Sequence, residues 1–247
     1  MRQQQGVPAD PDQAFLREFW NKWFADFPGY EILDPIKIRH AEVVVQSLRS
    51  LNLLKPEILE VGCANGWLCE MLAQFGQVTG VDLADRMIAD AKTRYPHLKF
   101  VAGDFLTAEL PPEHFDVVVS VAMFHHFADQ RRFLDRVSEL LKSRGYLVLM
   151  CPHKFIWDRT DFIRRSHGEV PLNWLNMGDL KRLLRDRFSM LHSGTIMPGG
   201  DRGILHLINN WRLHTLIRKV VPEPYIIRLK ERAGLGKTLV AVAQKRA

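Results

Sequence analysis

Between Pro35 and Pro152 the sequence switches repeatedly between two hydrophobic patterns, and this restricts the fold more than any other feature. Apolar residues at every third or fourth position predict helices from about Pro35, after Gly66, in "ADRMIADAKTRY" and in "DQRRFLDRVSELL". Between them lie short, unbroken apolar runs: "EILEVG", "VTGVDL", "LKFVAGDF", "FDVVVSVAM" and "GYLVLMCP". A strand with one wet face alternates polar and apolar residues, whereas a strand covered by helices on both faces does not. The pattern therefore predicts an α/β protein on a doubly wound, mostly parallel sheet. Strands in "FSMLHSGT" and "KTLVAVAQ" complete a seven-stranded sheet, with a helix in "MGDLKRLLRDRF" and a helical insertion at 196–236 before the last strand.

Residues 1–34 read as a separate N-terminal segment ahead of a single domain over 35–247. In "QAFLREFWNKWFADF" the residues Phe15, Phe19, Trp20, Trp23, Phe24 and Phe27 recur at helical spacing. Such a stripe either packs into the core or forms a lid over a pocket, since aromatic rings bury much area while ordering few torsions. No apolar run reaches the length of about 18 residues needed to span a bilayer, and the start lacks the basic-then-apolar order of a signal peptide. The expectation is a soluble cytoplasmic protein. Cys63, Cys69 and Cys151 show no C-x-x-C spacing, so reduced, buried thiols are expected instead of a disulfide framework. The formal net charge of +6 is enriched late, in "NNWRLHTLIRKVVPEPYIIRLKERAGLGK". Nucleic acid, anionic lipid or a phosphorylated substrate could use such a charge, and so could an ordinary solvated helix face.

Open α/β sheets bind ligands beyond the carboxyl ends of their strands, so the chemistry is read there. After the first strand comes the turn Gly62, Cys63, Ala64, Asn65, Gly66, where glycine lets a ligand approach the backbone and the following helix presents free N–H groups. The dinucleotide fingerprint G-x-G-x-x-G is broken by Ala64 and by Trp67, whose bulk denies close helix–strand packing, and this disfavours NAD. Asp82 ends the second strand, placed to accept from ribose hydroxyls, while Asp85 is the better cap for the next helix. At the third strand end, "AGDF", Asp104 can accept from an exocyclic amine and Phe105 can contact a ring face.

With those residues in place, the run from about Lys37 to Cys151 resembles the class I S-adenosylmethionine-dependent methyltransferases, especially the branch with quinone-biosynthesis and sugar O-methyltransferases. "LEVGCANG" is similar to their E-x-G-x-x-x-G turn, "GVDLADRMIADAK" to their ribose-binding strand and helix, "VAGDF" to their adenine-binding turn and "FDVVVSVAMFHHFAD" to their fourth-strand motif. "LLKSRGYLVL" resembles the lead into their fifth strand. The resemblance implies a Rossmann-like methyltransferase fold and S-adenosyl-L-methionine as cofactor. It implies that Glu60 and Gly62 floor the methionine site, with Cys63, Ala64, Asn65 and Gly66 in the turn and Asn65 as a polar contact. It further implies Asp82 on the ribose with Met87 on the helix behind, Leu83 with Gly103, Asp104 and Phe105 around the adenine, and Val121 at the methionine end. Ala64 replaces the usual middle glycine, a small change where φ is negative. The fourth strand lacks a [DNS]-P-P-[YFW] tetrad, which disfavours DNA-base and protein-amide acceptors.

Methyl transfer is an in-line displacement in which positioning supplies much of the rate, and deprotonation of the acceptor remains. "FHHF" places His125 and His126 beyond the fourth strand, and imidazole suits a hydroxyl acceptor. Neighbouring residues face different ways; His125 is the preferred base, because in resembling proteins the second position is mostly structural. Asp158 or Asp161 could orient it. His153, His167, Asp158 and Asp161 could join His125 around a metal, but no ligand spacing organises them and no metal is expected. The expected activity is O-methylation of a small-molecule or glycan hydroxyl; the alternatives are RNA methylation, with nucleic acid disfavoured as a partner, and a non-catalytic protein that kept the fold. "MPGGDRGILHLINNW", with Gly199, Gly200, Gly203 and Arg202, is expected to build the acceptor pocket or a homo-oligomer contact.

Overall fold

The computed structural model describes residues 12–26, 34–160, 170, 172–210, 215, 217–218 and 220–246. Phe27, Asp161 and His167 lie outside them. The strands are β1 (Glu57–Val61), β2 (Gln77–Asp82), β3 (Lys99–Ala102), β4 (Phe115–Val121), β5 (Leu141–Pro152), β6 (Phe188–Pro198) and β7 (Gly236–Lys245). They form one sheet in the order β3-β2-β1-β4-β5-β7-β6. Only β7 runs against its neighbours, antiparallel to both β5 and β6. The helices are α1 (Gln13–Asp26), α2 (Pro35–Leu51), α3 (Trp67–Leu72), α4 (Asp85–Arg94), α5 (Gln130–Leu140), α6 (Lys154–Trp157), α7 (Met177–Leu184), α8 (Ile204–Ile208) and α9 (Glu223–Arg232).

The unbroken apolar strands are explained by two cores, one on each face of the sheet. Successive side chains of a strand point to opposite faces. Leu59 and Val61 of β1 accordingly join Phe133, Leu134 and Val137 of α5 and Leu180 and Leu184 of α7. Ile58, one residue before Leu59 and so on the opposite face, joins Val44 and Leu48 of α2, Leu68 and Leu72 of α3 and Ile88 of α4. Each such side chain, fully buried, contributes roughly 1.5–3 kcal/mol, so a polar residue at any of these strand positions would expose one core to an unpaired group.

Local signals set the element ends. Asp34 caps α2, its Oδ1 accepting from the N–H groups of Ile36 and Lys37 at 2.8 Å each, and Asn52 ends that helix in the left-handed region. Ala84, not Asp85, holds the cap position of α4. Asp85 instead opens the first turn and accepts from Asn21 Nδ2 at 2.7 Å, while Asn21 Oδ1 accepts from the Arg86 N–H at 3.2 Å. Both ends of one buried amide therefore fasten α1 to α4. The last two strands are longer than their apolar cores suggest: β6 reaches Pro198, which pairs with Gly236, so the connection before β7 starts at Gly199. Among the described residues no helix is long and apolar enough to cross a membrane. All three cysteines are buried and free.

Candidate functional site

The sheet order reverses between β1, paired on one side with β2, and β4, paired on β1's other side. Beyond the carboxyl ends of these strands lies a cavity of about 210 Å3, where a doubly wound sheet leaves a crevice. Gly62, Asp82, Leu83, Gly103, Asp104 and Phe105 line it, and Gln13, Leu16 and Trp20 of α1 lie across it.

The floor is the turn from Gly62 to Gly66. The Gly62 and Cys63 N–H groups donate to the Val81 carbonyl at 2.8 and 3.2 Å, which pins the turn to β2. Gly62 has φ +82° and lies against Met123, whose Cγ would be 2.7 Å from an added Cβ. Gly66 has φ +79°, and a Cβ there would fall 2.7 Å from Phe100 Cζ. Ala64 overturns an expectation: its φ is +47°, in the left-handed region, not negative. The physical reason is its N–H, which donates to Asp82 Oδ2 at 2.8 Å.

Asp82 is shared between the turn and its own strand end, since Oδ1 accepts from the Ala84 N–H at 2.9 Å. Each oxygen retains acceptor capacity for a ligand hydroxyl. Burial raises this carboxyl above its ordinary range, and the backbone hydrogen bonds pull it back. The Gly103 N–H donates to the Asp82 carbonyl at 2.9 Å, and Asp104 Oδ1 accepts from Leu106 N–H at 3.0 Å, so the ends of β2 and β3 form one wall. A Cβ on Gly103 would meet nothing within 4 Å, leaving open room beside Asp104.

Among the described residues, three buried oxygens in β1, the turn after it and β4 have no hydrogen-bond partner: Glu60 Oε2, Asn65 Oδ1 and Ser120 Oγ. Burial, with the Asp82 charge adding to it, pushes the Glu60 carboxyl up to about 8. An acidic side chain and an amide oxygen left as orphan acceptors beside the turn suit a ligand that brings a cation carrying N–H donors.

Not every expected residue reaches the cavity wall. Glu60, Cys63, Ala64, Asn65, Gly66, Met87 and Val121 are not part of its lining. Cys63 turns away with Cys69, their sulfurs lying 2.7 and 2.8 Å from where a Cβ on Gly80 would be, and burial pushes the Cys63 thiol up to about 11. These thiols fill the gap between α3 and β2; no chemistry is needed to account for them.

The two histidines occupy a short 3-10 turn, Phe124–His126, after β4. His126 lines the cavity, and its ring lies edge-on to Trp20 with centroids 4.7 Å apart. His125 is buried, absent from the lining, and its carbonyl accepts from the Asn173 N–H at 2.8 Å. The structure thus gives the cavity-facing place to His126, against the expectation for His125. One residue in a 3-10 turn rotates the side chain by about 120°, enough to send one ring inward and its neighbour to the site. Asp158 is engaged by Lys154 Nζ at 2.6 Å, and His153 Nδ1 lies 3.1 Å from the Gly236 carbonyl. Among the described residues no group of three His, Cys, Asp or Glu could hold a metal ion.

Sequence reasoning did not place Met123, Asp129, Arg132 and Val170, which also line the cavity. Asp129 carried a readable signal as the cap of α5, accepting from the Arg131 and Arg132 N–H groups at 3.0 Å.

A glycine turn after β1, carboxylates closing β2 and β3, and a seven-stranded sheet with only β7 reversed define the class I S-adenosylmethionine-dependent methyltransferase domain. Residues 59–149 match the methyltransferase domain family. The chain is 32% identical over 154 residues to the ubiquinone biosynthesis O-methyltransferase of Leptothrix cholodnii, covering 57% of this chain and 63% of that protein. It is 29% identical over 151 residues to a probable S-adenosylmethionine-dependent methyltransferase of Mycobacterium tuberculosis, covering 60% of this chain and 53% of the relative. The matched region thus spans between about half and two thirds of the length of these relatives. In fold, it is similar to the N-methyltransferase NodS from Bradyrhizobium japonicum WM9, with a TM-score of 0.63, 17% identity and coverage of 94% of this chain and 98% of that one.

Proposed function

We propose that this protein transfers a methyl group from S-adenosylmethionine to a hydroxyl of a small molecule or glycan, with His126 as general base. The observation that carries the reading is the position of His126, in the same cavity wall as Asp82 and Asp104 and beneath Trp20. The O-methyltransferase name of the Leptothrix relative supports a hydroxyl acceptor.

The cofactor, when bound, supplies an electrophilic methyl carbon on a positively charged sulfur. Asp82 would hold its ribose hydroxyls, Asp104 with Leu83 and Phe105 its adenine, and the turn at Gly62 its methionine end, with the buried orphan acceptors of Glu60 and Asn65 on either side of that turn. The neighbouring Gly62 lets backbone approach where a side chain would collide with Met123. His126 takes the hydroxyl proton on an imidazole nitrogen as the acceptor oxygen forms its bond, a role worth roughly 10²–10⁴-fold in rate. Trp20 and Leu16 of α1 act as a cover that keeps water from the reacting atoms, above the domain that begins at Pro35.

Incubation with S-adenosylmethionine and a panel of hydroxylated acceptors, read by mass gain of one methyl group, tests the activity. Absence of cofactor binding by calorimetry at millimolar concentration would sink it. Transfer to nitrogen acceptors alone would remove the hydroxyl assignment and leave the methyltransferase.

A further inference from the structure

The connection between β6 and β7 combines two features that a merely solvated segment does not need. Of the eleven exposed large apolar side chains among the described residues, six lie here: Ile204, Leu207, Ile217, Val220, Tyr225 and Leu229. The described residues of the same stretch, Arg202 to Arg232, include five Arg or Lys and two Glu, with Arg218 paired to Glu223 at 2.8 Å.

The apolar groups are organised. On α8, Ile204 and Leu207 point out while Leu205 is fully buried; on α9, Tyr225 and Leu229 point out while Ile226 is buried. Residues three or four apart share one helix face. Arg228 and Arg232 are exposed and flank the Tyr225–Leu229 stripe on the side away from Ile226. Lys230 Nζ donates to Asn209 Oδ1 at 2.8 Å, which ties α9 to the end of α8.

We infer that this surface docks on an anionic phospholipid bilayer, with the exposed leucines, isoleucine and tyrosine entering the headgroup boundary and the arginines meeting lipid phosphates. Charge complementarity selects this occupant. A second copy would bring the same excess of positive charge against itself, and a nucleic acid would leave the apolar stripes exposed to water. An apolar stripe flanked by cations matches an interface where phosphate lies above hydrocarbon. The connection leaves β6 and enters β7 at the Pro198–Gly236 pair. That is the carboxyl end of β6, the end of the sheet that also carries the cavity, while Arg228 and Arg232 border a groove with Val43 and Ser47 of α2 and Leu191 of β6.

Flotation of the full chain with vesicles tests this. Vesicles of equal parts phosphatidylcholine and phosphatidylglycerol are expected to carry the protein at low salt, and pure phosphatidylcholine vesicles to leave it behind. The double variant Arg228→Gln/Arg232→Gln should partition about 30-fold more weakly, and Leu207→Ser/Leu229→Ser at least about tenfold more weakly. All four side chains are solvent-exposed, so unchanged melting temperatures are expected; if the leucine variant misfolds, the arginine variant still decides. Equal partition into both vesicle types, no partition into either, or wild-type behaviour of the arginine variant would overturn the inference. A dimer detected by light scattering that Leu207→Ser/Leu229→Ser dissociates would assign the surface to a second copy instead.

Discussion

Replacing Glu60 with Gln keeps the shape of a buried side chain and removes its charge at every pH. In the folded chain this carboxyl loses its proton only near about 8, against an ordinary value of 4.5. Between those values the folded state holds a proton that the unfolded state has released, so stability falls as pH rises, by about 1.4 kcal/mol per pH unit. The penalty is absent below the ordinary value, about 3 kcal/mol at pH 7, and complete at about 5 kcal/mol once the folded group also ionises. Glu60→Gln escapes it. Asp82 is also raised by burial and acts in the same direction, but it is present in both proteins, so their difference isolates Glu60. For a chain of 247 residues, a stability change of 1 kcal/mol moves the melting point by roughly 2–4 °C. Without cofactor, the variant should therefore melt with the wild type near about pH 5 and at least about 6 °C above it at pH 7. Adding S-adenosylmethionine should narrow the gap, because a bound ammonium group favours the ionised carboxylate. Wild-type binding at pH 7 should then release close to one proton, read by calorimetry in buffers of different ionisation heat, and the variant should release none. Parallel melting curves across this pH range would show that Glu60 is already ionised in the free protein and would refute the argument for a cation beside it.

His126→Ala is expected to lower turnover by roughly 10²–10⁴-fold while cofactor affinity stays within a few-fold; loss of turnover in His125→Ala with His126→Ala active would reverse the assignment. Asn21→Ala removes both hydrogen bonds that fasten α1 to α4, and at about 1 kcal/mol each it should speed cofactor dissociation in stopped flow by roughly tenfold or more. An unchanged dissociation rate would mean that α1 is not a lid. Gly66→Ala places a Cβ against Phe100 at positive φ, and a loss of about 2 kcal/mol or more in denaturant unfolding is expected.

The fold was legible because its strands serve two cores at once. A strand such as β1 cannot place Ile58 and Leu59 in separate cores without reading as an unbroken apolar run. The floor of the site was legible for a related reason: parallel register sets Asp82 beside Ala102 at the ends of β2 and β3, which brings Asp104 to the same wall. The roof was not. Trp20 and His126 are far apart in sequence, and the aromatic spacing of α1 says that the helix covers something without saying what. The facing of two adjacent histidines depends on about 120° of rotation in a single 3-10 turn, for which spacing carries no sign.

Ala64 shows how a local preference loses to a tertiary one. An alanine in the left-handed region costs roughly 1–2 kcal/mol, which is why a negative φ is the natural expectation for it. The conformation it adopts aims its N–H at Asp82 Oδ2. A hydrogen bond to a charged group contributes about 1.5–3 kcal/mol, and leaving the carboxylate unsatisfied in the interior costs more. The second effect wins, and the turn is consequently held from β2 as well as from β1. Asp82 therefore shapes the floor as well as lining the cavity. Asp82→Asn, which keeps the side chain's size but weakens its bonds to the Ala64 and Ala84 N–H groups, should lower cofactor affinity by about 10–100-fold. It should also speed hydrogen exchange at the Ala64 amide in the free protein. A variant that loses affinity while exchange at Ala64 stays unchanged would mean that the turn holds its shape without the carboxylate, and that Asp82 acts on the ligand alone.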